Sequence, residues 1–394
     1  MKALAPSQNF HPSLGEFTLG LRTRIARRIE EIPPEDWIRV FPPVLENYHF
    51  FKSLDESNFE QFRFYYLLIY DHEDLVGATS CFLMNYPLET TIQGAPRYFL
   101  NAFKKIFPNL FNLRALICGL PMGPGRIGVR GENRGGVLRA ILEGMEQIAR
   151  EEKIPIVALK DFDPKDDVLL DPLQKEGFYK FRSLPNTELD VSFTSFDQYL
   201  KTLSPASRYD LKRKFKKVDG HVKIELEVSN HPDHALEEIH GLYLQTSTRS
   251  EMQFEKVPKD FFEKVSKNML GETKYFFWRI DKKLVAFTFC LVSGDRLIDY
   301  YLGLDYSIAY QYHLYFVRFR DLLNWCLAHK IKTYEMGNTS YEPKRRLGFN
   351  FLPLYVYAKH RNPRVNPFFK MLCRALKPDN FDPIFKGIEK KKSR

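Results

Sequence analysis

The sequence contains an internal repeat, and this repeat limits the folds that a chain of 394 residues can adopt. At an offset of 209 residues, Leu75 aligns with Leu284 and Thr79 aligns with Thr288. In both copies an aromatic-rich segment is followed by a charged turn and a second apolar segment, which is the pattern of a β-hairpin. The sequence therefore predicts the same hairpin twice.

A helix and a strand follow each hairpin, now at an offset of 177 residues. Apolar residues at three- and four-residue spacing predict helices over residues 137–153 and 314–330. Short apolar segments over 154–159 and 331–336 then predict strands. The offset changes because the first half has a longer insertion, residues 85–124, before its helix. Each half is thus predicted to run hairpin, helix, strand, which favours a mixed α/β fold of two domains related by duplication.

The length of the chain agrees with two domains, since one domain usually has ~100–200 residues. A turn signal near Pro185 separates the two halves of the repeat. We therefore predict an N-terminal domain over residues 1–185 and a C-terminal domain over 186–365. A basic amphipathic tail is predicted over 366–394.

The net charge of +10 is concentrated in two segments. Residues 208–217 carry a net charge of +5, residues 366–394 carry another +5, and the rest of the chain is formally neutral. An anionic partner is therefore expected to contact these segments. Ser204 and Pro205 predict the start of a helix that contains the first of them, with serine as the N-cap and proline in the first turn.

Each basic segment has two interpretations. The first contains a single acid, Asp210, whereas a solvated helical face usually has balancing acids, so we expect it to bind an anion such as a CoA pyrophosphate, a tRNA backbone or a lipid head group. The second combines Phe368, Phe369 and Leu372 with basic residues, which suits a helix on an anionic membrane surface. Docking on the protein's own second domain is the alternative for the second segment.

Several classes of protein are excluded by what the sequence lacks. The five cysteines are scattered and form no C-x-x-C pair, so neither structural zinc nor a disulfide scaffold is expected. No apolar run approaches the ~18 residues of a membrane span, and the first residues lack the core of a signal peptide. The motifs of P-loop, zinc-protease, serine-hydrolase and NAD enzymes are also absent. We expect a cytoplasmic protein without a metal, with peripheral contact at the inner face of the membrane as a further option.

Two segments carry candidate chemistry. Residues 121–136 are rich in glycine and arginine and precede the first predicted helix, so they could hold a phosphate, with a surface loop as the alternative. In the second half, the predicted strand ends with Glu335 and is followed by Gly337, Lys344 and the pair Gly348-Phe349.

The repeat and these motifs resemble the GNAT fold of acyl-CoA-dependent N-acyltransferases. The basic helix after Ser204 and the order of acid, glycine, lysine and Gly-Phe between Glu335 and Phe349 are similar to the FemAB-like branch, whose members have two such domains in tandem. The resemblance covers most of residues 62–360. It implies acyl transfer, with acyl-CoA as co-substrate, to an amine acceptor such as a lipid or cell-envelope precursor. Aminoacyl transfer from tRNA to a cell-wall peptide and a non-catalytic module that binds anionic surfaces are the alternatives.

Acyl transfer to an amine needs an uncharged nucleophile, stabilisation of developing negative charge and a proton for the leaving group. We expect Glu335 to accept the ammonium proton and Lys344 to neutralise donor phosphate or developing charge. A salt bridge from Glu335 to Lys344 or Arg346 that only holds the loop is the alternative. Asp305, at a strand end, is a second acid candidate that could equally cap a turn. The residues expected to bind the donor are Gly337, Asn338, Arg346, Arg208, Lys212 and Arg213.

Overall fold

The computed structural model describes residues 20–87, 112–249, 254–338 and 340–375, and these form two mixed β-sheets with flanking helices. The strands are β1 (Leu21–Ala26), β2 (Phe62–Asp71), β3 (Asp74–Pro87), β4 (Asn112–Cys118), β5 (Gly128–Val129), β6 (Ile156–Phe162), β7 (Tyr179–Arg182), β8 (Asn186–Asp190), β9 (Glu225–Ser229), β10 (Thr273–Ile280), β11 (Lys283–Ser293), β12 (Arg296–Leu304), β13 (Thr333–Met336), β14 (Asn350–Leu352) and β15 (Tyr355–His360).

The helices lie mainly on the outer faces of the sheets and between them. They are α1 (Pro34–Val40), α2 (Tyr48–Glu56), α3 (Arg134–Glu151), α4 (Asp167–Leu170), α5 (Phe196–Thr202), α6 (Pro205–Asp219), α7 (Leu236–Ser247), α8 (Lys259–Asn268), α9 (Leu314–Ala328), α10 (Tyr341–Arg346) and α11 (Asn366–Ala375). Within the described ranges, no helix combines the length and hydropathy that crossing a bilayer requires.

The two sheets correspond to the two halves of the repeat, with one exchange between them. The first sheet has the order β1-β2-β3-β4-β6-β15-β7, and β5 pairs with β3. The second has the order β14-β8-β13-β12-β11-β10-β9. Strand β8 starts the second sheet at Asn186, whereas β15, from near the end of the chain, inserts between β6 and β7 of the first sheet. One strand from the range 186–365 therefore completes the N-terminal sheet.

The predicted duplication is confirmed. Strands β2 and β3 form the first antiparallel hairpin, and β10 and β11 form the second. In each half a third strand follows, then a long helix, then a strand parallel to the third: β4, α3 and β6 in the first half, and β12, α9 and β13 in the second. This order is the mixed α/β architecture that the sequence predicts.

Hydrogen bonds fix which residues of the two halves are equivalent. After α3, Ile154 N donates to Ala149 O at 2.7 Å, and after α9, Ile331 N donates to Cys326 O at 2.9 Å, which preserves the offset of 177. In the hairpins, Cys81 lies opposite Cys118. At the offset of 209, Cys290 lies opposite Asp299. Cys118 and Asp299 therefore occupy the same place in the two copies.

The two halves share one hydrophobic core. The largest cluster of buried apolar residues includes side chains from both sheets, with α2 of the first half packed on α8 of the second. Phe50 and Phe261 are fully buried there, with ring centroids 6.1 Å apart. Burial of one such ring stabilises the folded state by about 1.5–3 kcal/mol. Polar contacts at the rim, such as Asn268 Nδ2 to Glu56 Oε2 at 2.8 Å, fix the relative orientation of the halves.

The basic helix α6 starts as the sequence predicts. Ser204 is its N-cap, and its side-chain oxygen accepts a hydrogen bond from Ser207 N at 3.2 Å. Leu211, Phe215 and Val218 form its buried stripe, so the basic residues lie on the remaining faces.

Candidate active site

The second sheet opens at the end of β13. Strands β12 and β13 pair in parallel from Arg296 and Thr333 to Asp299 and Met336, and β12 then continues for five residues to Leu304 after β13 has ended. Successive side chains of a strand point to opposite faces of a sheet. The polar residues near this opening accordingly form two clusters, one beneath α9 and one facing the first half.

The cluster beneath α9, which we call the buried charge cluster, consists of Asp299, Arg318, Tyr334 and Lys344. Arg318 has no exposed surface, and its Nη1 forms an ion pair with Asp299 and donates to Thr288 Oγ1 at 3.1 Å. Tyr334 donates its hydroxyl to Asp299 Oδ2 at 3.1 Å. Burial opposes the charge on the guanidinium, but Asp299 raises the pKa of Arg318 overall, so this side chain stays charged.

Two nitrogens of Arg318 are left over by these bonds. Its Nε and Nη2 are buried and have no hydrogen-bond partner within the described residues. The ring of Tyr315 covers one side of the guanidinium, with its centroid 5.2 Å from the central carbon. Buried polar groups without a partner cost free energy, so such a feature needs an explanation.

Lys344 of α10 is also buried, with 3% of its surface exposed. Its Nζ donates to Met336 O at 3.3 Å and to Gly337 O, the two carbonyl groups at the end of β13. Burial lowers the pKa of Lys344 to about 7, although the charge of Asp299 opposes this effect. This ammonium can therefore gain or lose its proton near neutral pH.

The second cluster, which we call the interdomain cluster, consists of Glu46, Arg126, Arg296, Tyr300 and Glu335. Glu335 is buried on the face of β13 that points to the first half. Its carboxylate forms an ion pair with Arg296 and accepts from Asn186 Nδ2 at 2.9 Å.

Contacts from the first half complete the interdomain cluster. Tyr300 donates its hydroxyl to Glu46 Oε1 at 3.1 Å, and Arg126 of the glycine-rich segment binds Glu46 Oε2 at 3.2 Å. Burial, followed by the charge of Glu46, raises the pKa of Tyr300 well above its usual range. The glycine-rich segment of the first half is thus linked to Tyr300 of the second sheet through Arg126 and Glu46.

Glu188 is a second acid on the same face as Glu335. The two residues are direct partners in the antiparallel pairing of β8 with β13. Burial and the neighbouring charge of Glu335 raise the pKa of Glu188. Two carboxylates directly opposite one another repel, so the guanidinium of Arg296 beside them is favourable.

Glu335 and Lys344 both adjoin the end of β13, but they lie on different faces and have separate partners. Glu335 binds Arg296, whereas Lys344 binds backbone carbonyl groups. Arg346 is exposed and pairs with Glu342 at 2.9 Å, so it does not hold Glu335 either. Of the other predicted donor contacts, Gly337 is exposed and accepts from Lys344, and Asn338 accepts the Tyr341 hydroxyl at its carbonyl, at 2.6 Å.

Asp305 has the geometry of a turn cap. Its carboxylate accepts from Ser307 N at 3.0 Å and from Lys283 Nζ at 2.7 Å, at the turn between β12 and α9. These bonds compensate for the burial of its carboxylate.

The predicted anion-binding residues of α6 differ in position. Arg208 Nη2 donates to two backbone carbonyl groups at the end of α5, at 3.2 and 3.1 Å. Lys212 and Arg213 are exposed, and Arg213 pairs with Asp210 at 3.0 Å.

Other lysines of α6 lie beside the start of α9. Lys214 Nζ is 4.4 Å from the ring centroid of Phe316. Burial and then the charges of Lys214 and Lys217 lower the pKa of His313, which immediately precedes α9. An anionic group at the first turn of α9 would therefore meet the positive end of the helix dipole, the ammonium of Lys217, and that of Lys214, which also forms an ion pair with Asp210.

The glycine-rich segment of the first half is packed against β6. Gly125 N donates to Asp161 O at 3.0 Å, and a Cβ atom at Gly125 would lie 2.2 Å from Lys160 O. Asn133 caps α3 by accepting from Gly136 N at 2.9 Å. The close approach to β6 requires glycine at position 125.

Several polar residues of the site were not predicted from the sequence. The repeat held the signal for Arg318, which aligns with Ile141 at the offset of 177, whereas the equivalence of Asp299 and Cys118 follows only from the strand pairing. Where one half buries an apolar residue and the other buries a charged residue at the equivalent position, the two halves are expected to differ in function. Arg126, Lys214 and Lys217 lie inside the two segments that the sequence predicts to bind an anion, although their type alone does not distinguish them from their neighbours. The sequence gives no signal for Glu46, Glu188 and Arg296.

Comparisons with known proteins agree with this architecture. Residues 205–345 match the family described as the acetyltransferase (GNAT) domain. The crystal structure of FemX superimposes with a TM-score of 0.55 at 10% sequence identity, over 89% of this chain and 100% of that one. A tandem GNAT protein from the clavulanic acid biosynthesis pathway superimposes with a TM-score of 0.52 at 12% identity, over 87% and 99% of the two chains. Among curated protein sequences, none matches this chain.

The two solved structures share the fold over 89% and 87% of this chain, and the family match falls on the half that contains the buried charge cluster. The resemblance stated from the sequence is thereby confirmed. Residues 205–345 thus form an acetyltransferase (GNAT) domain, and the chain shares its fold with FemX and with the tandem GNAT protein.

Proposed function

We propose that the protein transfers the acyl group of an acyl-CoA to the nitrogen of an amine carried on a lipid or cell-envelope precursor. The observation that carries this proposal is Lys344, a buried lysine with a pKa of about 7 at the open end of β13. A lysine in this state can stabilise negative charge or supply a proton at neutral pH, and both are needed when a thioester is cleaved.

The surroundings of the opening fit a donor with phosphate groups. Lys214 and Lys217 adjoin the first turn of α9, so they and the helix dipole would attract a pyrophosphate. These residues extend the donor-binding surface expected from the sequence. Its further members are Lys212, Arg213, Gly337, Asn338 and Arg346, while Arg208 supports the surface by holding the end of α5.

The reacting carbonyl would lie at the end of β13, which Glu335 and Lys344 both adjoin. When bound, the thioester supplies the activated carbonyl. From the interdomain side, Glu335 takes the proton of the acceptor ammonium, directly or through a water molecule, while Arg296 and Asn186 hold its carboxylate in place. The freed nitrogen forms the amide bond as the carbon–sulfur bond breaks. Lys344 balances the negative charge on oxygen and sulfur, and the second proton that the nitrogen loses passes to the departing thiolate, which leaves as the thiol.

Donor binding is the first test of this proposal. A ligand at ~100 times its Kd stabilises a protein by about 2.7 kcal/mol, so acyl-CoA of graded chain length should raise the Tm measurably. We expect acetyl-CoA or longer acyl-CoA to do so, and free adenosine to have no effect. Binding of tRNA with a steep salt dependence, together with no response to any acyl-CoA, would instead support the aminoacyl-tRNA alternative.

Helix α11 favours an acceptor at a membrane surface. Phe369 and Cys373 pack on the first sheet, whereas Phe368 and Met371 are 70% and 65% exposed. Arg374 and the basic residues that follow in the sequence flank this exposed apolar pair. An apolar pair with flanking positive charge suits the interface of an anionic bilayer.

Vesicle sedimentation tests the membrane contact. We expect binding to vesicles that contain phosphatidylglycerol, and weak binding to vesicles of phosphatidylcholine alone. Phe368→Ser with Met371→Ser should reduce the binding several-fold, because it removes the inserted apolar surface. Leu270→Ser is the matched control, since Leu270 is 72% exposed but lies in the second half, away from α11. Equal binding by both variants and the unchanged protein would contradict this contact.

A further inference from the structure

We propose that Arg318 binds a carboxylate group of a substrate, so that the transfer site selects a donor or an acceptor with a carboxylate near the reacting carbon. This inference rests on the proposed acyl transfer and adds the chemical class of the substrate.

The geometry of the guanidinium supports a two-point contact. Its Nη1 is used by Asp299 and Thr288, while Nε and Nη2 have no partner in the part of the chain that the structure describes. The N–H groups of Nε and Nη2 lie along one edge of the planar guanidinium and point in the same direction. This edge matches the two oxygens of a carboxylate, which arginine binds in bidentate fashion.

The fold does not need this buried charge. In the first half, Cys118 stands at the place of Asp299, and Ile141 stands at the place of Arg318. Both are buried, and Cys118 Sγ contacts Thr79 Oγ1 at 3.2 Å, whereas in the second half Arg318 Nη1 links Asp299 to Thr288. Replacing a buried ion pair by apolar residues is often neutral or stabilising, so an ion pair kept in only one copy points to a role in binding.

The charge of the cluster favours a carboxylate over an ammonium. Arg318 and Asp299 neutralise one another, and protonated Lys344 leaves the cluster with one positive charge. A bound carboxylate would balance that charge, whereas the ammonium of an aminoacyl group would be repelled by it. The inference therefore also separates a carboxylated acyl donor from an aminoacyl donor.

Two matched pairs of small molecules locate the carboxylate. Succinyl-CoA and butyryl-CoA have acyl chains of four carbons and differ at the end of the chain, so the ratio of their affinities measures recognition on the donor. Glycine and glycinamide as acceptors measure recognition on the acceptor through their ratio of transfer rates. We expect one of the two pairs to differ at least tenfold in favour of the carboxylate.

Two variants connect the preference to Arg318. Arg318→Lys keeps the positive charge but removes the two-point edge, and it should bring the ratio close to one. Asp299→Cys combined with Arg318→Ile copies the first half and avoids an unpaired Asp299, so it should fold with a Tm near that of the unchanged protein while losing the preference. Circular dichroism and thermal melting report on folding independently of binding.

The outcomes are separable. If butyryl-CoA and succinyl-CoA both fail to bind, the proposed donor class is wrong. If they bind equally well and glycine and glycinamide react equally, the acyl-CoA donor stands and the carboxylate inference is wrong. A carboxylate preference that survives in Arg318→Lys and in the double variant would also overturn the assignment to Arg318.

Discussion

The two halves of this chain use one scaffold with different interiors. Both have a hairpin, a third strand, a long helix and a parallel strand in the same order. At the end of the parallel pair, the first half buries Cys118 and Ile141, whereas the second half buries Asp299 and Arg318. The first half shows that the scaffold folds with apolar residues at these positions. The buried charges of the second half are therefore an addition to the fold, and we assign the chemistry to this half.

The halves also differ in what packs near the ends of the equivalent strands β6 and β13. In the first half, the glycine-rich segment packs on β6 and Lys160 binds the carbonyl groups of Leu120 and Pro121. In the second half, the chain leaves the sheet at Gly337, which is exposed, and no atom of the described residues would contact a Cβ added there. The protein itself packs against the strand end in the first half, whereas the backbone at Gly337 is open to solvent in the second.

Replacement of Lys344 tests the comparison most strongly. We expect Lys344→Ala to reduce kcat/KM for acyl transfer by roughly 10²-fold or more, the usual scale for an electrostatic group in an active site. Lys160→Ala is the counterpart in the first half, because Lys160 also donates to backbone carbonyl groups at a strand end. Its effect should stay within about threefold after correction for folded protein. Equal losses in steady-state assays of the two variants would contradict the division of roles.

Glu335→Gln should lower kcat by about 10²-fold, because the amide cannot accept the ammonium proton. The residue at the equivalent place of the first half is Ala158, so that half offers no base at this position. Glu152→Gln is the control, since Glu152 is an acid of the first half in a surface ion pair with Arg63. Unchanged turnover in Glu335→Gln at saturating acceptor would remove the base assignment.

Gly125→Ala should destabilise the first half without direct effect on the second. The added Cβ would lie 2.2 Å from Lys160 O and 2.4 Å from the ring of Phe162, so the segment would have to move. We expect a loss of about 2 kcal/mol, typical of overpacking, measured by urea denaturation. Gly241→Ala is the control, because Gly241 lies in a helix with open space around it, and it should stabilise by up to about 1 kcal/mol.

Lys214→Ala with Lys217→Ala should raise the KM for acyl-CoA about tenfold and change kcat little. One charge-assisted contact contributes about 1.5 kcal/mol, so the loss corresponds to roughly a factor of ten. The same measurement on Lys165→Ala with Lys175→Ala, two exposed lysines of the first half, should give the KM of the unchanged protein. An equal rise in both double variants would mean that net charge alone attracts the donor.

The stability of the protein should rise with pH just above neutrality. The pKa of Lys344 is lowered from 10.5 to about 7 in the folded protein, so the unfolded chain binds more protons than the folded one between these values. Stability then increases with pH, by about 1 kcal/mol between pH 7 and 8. Lys344→Met should remove this increment in urea titrations at the two pH values, and a slope that persists in the variant would assign it to another group.

Local sequence patterns predict many of the individual helices and strands, and the repeat predicts that they form two similar domains. The hairpins, the helices α3 and α9, and the N-cap at Ser204 follow from periodicity and capping chemistry. The position of β15 does not, because pairing between distant strands leaves no local signal.

The site was only partly accessible from the sequence. Glu335 and Lys344 were identified by their order along the chain, but order does not tell on which face of a sheet a residue after a loop will lie. The positive charge of α6 is visible in the sequence, but the direction of α6 relative to α9 is set by packing. The sequence therefore does not distinguish Lys214 from Lys212 and Arg213.

Strand β15 has a consequence for biosynthesis. It is hydrogen-bonded to both β6 and β7, so the N-terminal sheet lacks an inner strand until a ribosome has translated past His360. All strands from β1 to β7 are made long before β15, so until then the edge of β6 stays unpaired and prone to wrong association. A fragment that stops at residue 185 would keep that open edge, so the two halves are unsuited to separation by simple truncation or to exchange as independent cassettes.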